Sequence, residues 1–100
     1  MKVRIEKDEL GTKEIPIEAY YGIQTLRSKE NFDIVQKPIS RNMIKALAII
    51  KKSAAYANCD AGLISKEVCN AISMACDEII NGRLHGQFIT DLIQGGAGTS

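Results

Sequence analysis

The sequence has no tryptophan, a single histidine (His85), two prolines and no long apolar run. Its longest hydrophobic stretches fall well short of the ~20 residues that a membrane span needs, and the start Met1-Lys2-Val3-Arg4-Ile5-Glu6-Lys7-Asp8 is charged at alternate positions where a signal peptide would be apolar. Charge of one sign is also missing. Thirteen Lys and Arg against twelve Asp and Glu leave +1, which provides no concentrated basic field and argues against nucleic acid as a partner. The three cysteines, Cys59, Cys69 and Cys76, form no CxxC pair, and their odd number does not make a disulfide framework. Reduced thiols in a cytoplasmic protein are expected. Cys69 and Cys76 share a helix face, but with only His85 to add a nitrogen ligand they read as buried thiols rather than half a metal site.

What is present is ordinary globular material, 45% hydrophobic and 25% charged, in the amount one small domain requires. Val3 and Ile5 alternate with Lys2, Arg4 and Glu6, the period of a short half-exposed strand or extended arm. Leu10-Gly11-Thr12 interrupts it, and Pro16 ends regular pairing. A first helix is expected from Glu18 to Phe32, with Tyr20, Ile23, Leu26 and Lys29 at helical spacing. Gly22 costs about 1 kcal/mol inside a helix relative to Ala, so it marks a close backbone approach or a break.

Ser40 is placed to cap a second helix running to about Asn58, with Met43, Ile44, Leu47, Ile50 and Ala54 as its apolar set. Lys45, Lys51 and Lys52 read as its solvated face. After the turn Asp60-Ala61-Gly62, Ser65 caps a third helix whose stripe is Val68, Ile72, Ala75, Cys76, Ile79 and Ile80, ended by Gly82. So short a connection predicts that these two helices pair antiparallel. The fold class is therefore mainly α: a small helical domain with a short extended N-terminal arm, leading into a glycine-rich loop. His85 has no carboxylate or serine that the sequence places beside it, so a general-base role is not assigned to it.

That loop, Gln94-Gly95-Gly96-Ala97-Gly98-Thr99-Ser100, has three glycines in four positions and then two hydroxyls. Such a segment bares backbone N–H groups, lets a ligand approach the main chain, and adds hydroxyl donors just beyond. It is suited to seat a small anion.

Gln94 to Ser100, together with Ala19-Tyr20-Tyr21-Gly22-Ile23-Gln24-Thr25-Leu26-Arg27 and Glu30-Asn31-Phe32, resembles the N-terminal portion of the aspartase/fumarase superfamily. The resemblance runs from about Arg4 to Ser100 and includes Ile15-Pro16, Ala46 to Lys52 and Asp77-Glu78. It implies that residues 1–100 are the N-terminal domain of a several-fold longer enzyme, a truncated piece that is inactive alone. It also implies a homotetramer whose active sites draw on three subunits, acting on a small dicarboxylate without metal or organic cofactor. The implied reaction is reversible elimination of ammonia from L-aspartate to give fumarate, with the catalytic base on a serine loop beyond these residues, so no catalytic residue is expected here. Thr99 and, next to it, Ser100 match the element that binds a substrate carboxylate. Arg27 matches the arginine of Thr-Leu-Arg and is a third substrate-binding candidate, its alternative being an arginine tied to Glu30 or to a neighbouring subunit. Gly86 and Leu92 depart from the family pattern and leave the shape of the approach to the loop open. Two other readings are a fumarase-like hydratase domain, against which Tyr20-Tyr21-Gly22-Ile23 and Thr99-Ser100 argue, and a non-catalytic helical module docking through its alanine-rich face.

Overall fold

The computed structural model describes residues 2–95, and in it the chain divides into two compact units. One joins the segment up to Ile39 to the segment from Gly86 onward, and the other is Ser40–His85. Thr99 and Ser100, and the glycine-rich stretch beyond Gly95, lie outside the described residues.

The first unit opens with an antiparallel hairpin of β1 (Val3–Asp8) and β2 (Gly11–Pro16), so the expected arm has a partner strand. Asp8 makes the turn. Its Oδ1 accepts the Leu10 N–H at 3.0 Å, and Gly11 follows at φ 127°, a conformation that L side chains rarely adopt. The period of two holds along β1, but the half-buried side carries Arg4, Glu6 and Asp8, while Val3 and Ile5 are exposed. Ile15, paired opposite Arg4, is wholly buried and anchors this unit's apolar core together with Ile23.

The charged side of β1 fixes where the first helix begins. The Arg4 guanidinium donates to the carbonyls of Pro16, Ile17 and Ala19 through Nη1 and of Tyr21 through Nη2, at 2.8 to 3.1 Å. The carbonyls of Ile17, Ala19 and Tyr21 would be acceptors within a helix from Glu18, and α1 instead starts five residues later and spans Ile23–Asn31. Gly22 at its N-cap has no side chain to cap with. Glu6 supplies the cap from the strand, its Oε1 accepting the Ile23 N–H at 2.9 Å while Oε2 takes Arg4 Nε at 2.7 Å. A Cβ on Gly22 would sit 3.1 Å from that Oε1, so the glycine does mark a close approach. Arg4 first, and then the Ile23 N–H, hold the Glu6 carboxyl below its ordinary value.

In the second unit α2 (Arg41–Asp60) and α3 (Lys66–Ile80) are capped as expected. The Ser40 and Ser65 hydroxyls accept from Met43 N and Val68 N at 3.1 Å, contacts of a kind that contribute about 1 kcal/mol each. Both helices end in the same motif. Gly62 and Gly82 have positive φ, and the amides around them close back on the last turn: Gly62 to Cys59 and Leu63 to Asn58, Gly82 to Ile79 and Arg83 to Glu78.

The side-chain pairs Lys52–Asp77, at 2.7 Å, and Tyr56–Ser73, at 3.0 Å, run in opposite chain directions, which makes the helices antiparallel. The buried stripes match those the sequence pattern predicts only in part. Ile44 and Cys76 are buried as expected, joined by Ala48 and Ala55 of α2 and by Cys69 and Ser73 of α3, whereas Met43, Leu47, Ile50 and Val68 are exposed. Apart from Ile44 these buried positions carry small side chains, which allow helices to approach closely. Burial pushes the Cys69 thiol up, with Cys59 adding to the effect, as for an inert thiol. No helix among the described residues is long and apolar enough to cross a membrane.

Candidate functional site

In the first unit the hairpin turn and α1 border an open groove of about 1090 Å³. Asp8, Leu10 and Lys13 line it from the hairpin, Thr25 and Arg27 from α1, Phe32 from just past the end of α1, and Gly95, the first glycine of the candidate loop, reaches it as well. A Cβ on Gly95 would lie 3.8 Å from the Phe32 ring. The structure thus brings Arg27 and the start of the glycine-rich stretch to one groove.

Arg27 is already engaged there. Its Nε and Nη2 donate to the two oxygens of Asp8 at 2.7 and 2.9 Å, a bidentate pair, and Nη2 also reaches the Gly11 carbonyl at 3.4 Å. The pair pins α1 to the hairpin turn, and the arginine, with the Leu10 and Gly11 amides helping, holds the Asp8 carboxyl below its ordinary value against the effect of burial. Glu30, the alternative partner expected for Arg27, is bound instead by Lys13. Both cations of the groove are therefore matched by carboxylates. The Ser28 hydroxyl, on the same helix, is buried without a hydrogen-bond partner among the described residues.

His85 belongs to the second unit. Its Nε2 is 3.1 Å from the Ile79 carbonyl in the last turn of α3, the position of a histidine that finishes a helix.

The residue that the sequence pattern did not single out is Asp91. It is buried, with 4% of its surface exposed, and no lysine, arginine or histidine among the described residues pairs with it. Backbone amides hold it instead. Oδ2 accepts three consecutive N–H groups, from Ile34, Val35 and Gln36, at 2.9 to 3.0 Å, and Oδ1 accepts Ile93 N–H at 2.8 Å. Gln36 adopts φ 57°, the left-handed conformation that completes this ring of donors. Burial pushes the Asp91 carboxyl up, but the Ile93, Gln36, Ile34 and Val35 amides outweigh it and hold the group ionised, below its usual value. The one available signal was an acid, beside Thr90, between the apolar pairs Phe88-Ile89 and Leu92-Ile93.

The Lyase family model matches residues 11–100. The aspartate ammonia-lyase of a Bacillus species is 59% identical over 98 residues, which is 98% of this chain and 21% of that protein. A fumarate lyase:delta crystallin from Brucella melitensis superposes with a TM-score of 0.92 at 45% identity, covering 98% of this chain and 22% of that one. The recombinant class II fumarase from Schistosoma mansoni gives 0.86 at 35% identity, over 93% and 20%. The chain spans about a fifth of the length of the relatives it matches. Matched over residues 11–100 by a family model and over 98% of its length by a relative 59% identical to it, the chain belongs to the aspartase/fumarase superfamily.

Proposed function

We propose that this chain is the N-terminal part of an aspartate ammonia-lyase, which reversibly eliminates ammonia from L-aspartate to give fumarate. The observation that supports this reading is the 59% identity to such an enzyme, maintained over almost the whole chain, against 35% to a fumarase. In the reaction a base removes a proton from Cβ, negative charge builds on the carboxylate bonded to that carbon, and ammonia leaves from the neighbouring carbon. The proton is weakly acidic, so the rate depends on donors aimed at the carboxylate oxygens where charge develops. Thr99 and Ser100, with the glycine N–H groups before them, are the donors this chain offers. The base and the rest of the dicarboxylate site belong to the remainder of the polypeptide, and the chain alone is inactive. The exposed Met43, Leu47, Ile49, Ile50 and Met74 of the second unit fit burial against that remainder and against other subunits of a homotetramer. Assaying the full-length protein with L-aspartate and with L-malate tests the reading. Fumarate is expected from aspartate, and a preference for malate would place the protein among the hydratases.

Arg27 is proposed to bind substrate from the groove, by lending positive potential or by exchanging Asp8 for a substrate carboxylate. Arg27→Ala is then expected to raise the apparent KM for aspartate severalfold with kcat little changed. An unchanged KM, accompanied by faster amide exchange in the hairpin, would show that the Asp8 pair is the whole of its role.

A further inference from the structure

Two of the three cysteines stand opposite each other where the helices of the second unit join. The face that α2 turns to α3 is marked by Lys52 against Asp77 and, one turn on, by Tyr56 against Ser73, at 2.7 and 3.0 Å. The next step along that face is three residues further in α2 and four residues back in α3, and it brings Cys59 to Cys69. Burial agrees with this register. Cys69 has 2% of its surface exposed, Cys59 is half-buried, and both are free thiols. Burial first, and then the charge and hydrogen bond of the neighbouring Cys59, push the Cys69 thiol up, as happens when one thiol faces another. Cys76 is seven residues from Cys69 on the same helix, about 10 Å along its axis, and so beyond the ~7 Å between Cα atoms that a disulfide tolerates.

We propose that Cys59 and Cys69 are a reversible dithiol/disulfide pair, an oxidant-responsive modification site at the joined end of the helix hairpin. Exposure divides the work between them. Hydrogen peroxide meets the half-buried Cys59 first: its thiolate sulfur takes one peroxide oxygen, the O–O bond breaks, and the departing hydroxide recovers the thiol proton as water, leaving a sulfenic acid. The Cys69 sulfur then attacks the Cys59 sulfur. As the S–O bond breaks, hydroxide leaves and takes the Cys69 proton. Two thiols and one peroxide thus give one disulfide and two waters, with the sulfurs oxidised and the peroxide reduced. Cys69 is a poor target for peroxide because it is buried and protonated, but a resolving thiol has only to reach the sulfur beside it.

The bond closes a loop that the fold already holds short, since Gly62 N–H donates to the Cys59 carbonyl and Leu63 N–H to that of Asn58. Its consequence is protection. A sulfenic acid left alone goes on to sulfinic acid, which thiols do not restore, whereas a disulfide is returned to two thiols by a dithiol reductant. A transient bond of this kind is the form in which disulfides occur in reducing compartments. The pair works in the same way whichever reaction the full-length protein catalyses.

The test is mass spectrometry of the full-length protein, reduced, then exposed to hydrogen peroxide, with the remaining thiols alkylated before digestion. Trypsin cuts after Lys52, Lys66 and Arg83, which leaves Cys59 in residues 53–66 and Cys69 with Cys76 in residues 67–83. Most of these two peptides are expected as one species, two hydrogens lighter than their sum and separated again by dithiothreitol. Cys76→Ser is expected to keep that species, and Cys69→Ser to reduce it by about tenfold or more while Cys59 runs on to sulfinic acid. Cys59→Ser is expected to leave Cys69 reduced under the same exposure; if Cys69→Ser does not fold, survival of the linkage in Cys76→Ser and its loss in Cys59→Ser decide the matter. A linkage of Cys59 to any other cysteine overturns the proposal. So does sulfinic acid building up on Cys59 as fast in the unaltered protein as in Cys69→Ser, or both thiols staying reduced in an exposure that oxidises the protein's methionines.

Discussion

Thr99→Val in the full-length protein is expected to lower kcat/KM for L-aspartate by about 10- to 1000-fold, the loss associated with one donor to a developing oxyanion. Valine preserves the branched shape of threonine and removes only the hydroxyl. The effect should fall on kcat at least as much as on KM, because the carboxylate carries more negative charge as the Cβ proton leaves than it does in bound aspartate, and a donor aimed there works harder in the transition state. A fall in affinity alone would make Thr99 a ground-state clamp. Steady-state kinetics indistinguishable from the unaltered enzyme would remove it from the site.

The second large effect is expected at Arg4, far from any candidate donor. Arg4→Ala strips four carbonyls, those of Pro16, Ile17, Ala19 and Tyr21, of a charged donor and releases Glu6 from the partner that orients it to cap α1. Hydrogen bonds from charged donors contribute roughly 1.5–3 kcal/mol each where buried. This guanidinium is about a third exposed, so water replaces part of what is lost. A net local loss of about 2 kcal/mol corresponds to amide exchange in residues 17–26 becoming close to thirtyfold faster. Arg4→Lys should recover little of it, since a single ammonium cannot span carbonyls spread over six residues as a planar fork does. Exchange unchanged in that segment for Arg4→Ala would show that the corner between β2 and α1 is held by Ile15 and Ile23 packing alone.

Elements whose signals are local were legible in the sequence. Ser65 and Gly82 bracket α3 because a cap hydroxyl and a left-handed glycine act within one turn of the helix they end, and Ser40 and Gly62 do the same for α2. What depended on contacts distant in sequence was not. The start of α1 at Ile23 is set by Arg4 and Glu6, some seventeen residues upstream, and nothing in the local sequence announces that the Ala19 and Tyr21 carbonyls are taken. Strand β2 was hidden because Gly11 and Pro16 read as interruptions, although one supplies the turn's left-handed residue and the other closes the ladder opposite Val3. In α2 the apolar set was right at Ile44 and wrong at Met43, Leu47 and Ile50, whose bulk suggested burial, while Ala48 and Ala55, which permit closer approach, are the buried positions. Of the candidate site, Arg27 was visible through its motif but not its Asp8 partner. Asp91 stayed unread because its donors, the amides of residues 34–36, carry no side-chain signature at all.

The arm is measured by its spacing. Arg4, Glu6 and Asp8 stand on one side of β1 and hold, respectively, the corner, the helix start and Arg27. Val3, Ile5 and Lys7 point to the exposed side of the strand and hold none of these contacts, so the chemistry of those positions is more loosely constrained. A single residue inserted or deleted between Arg4 and Asp8 is another matter: it turns part of the charged row to the opposite side, and every downstream tooth of the row misses its slot together. Anyone grafting, trimming or extending this end of the protein can vary what the outward positions are made of, but has to count residues from Arg4 as one counts notches on a key.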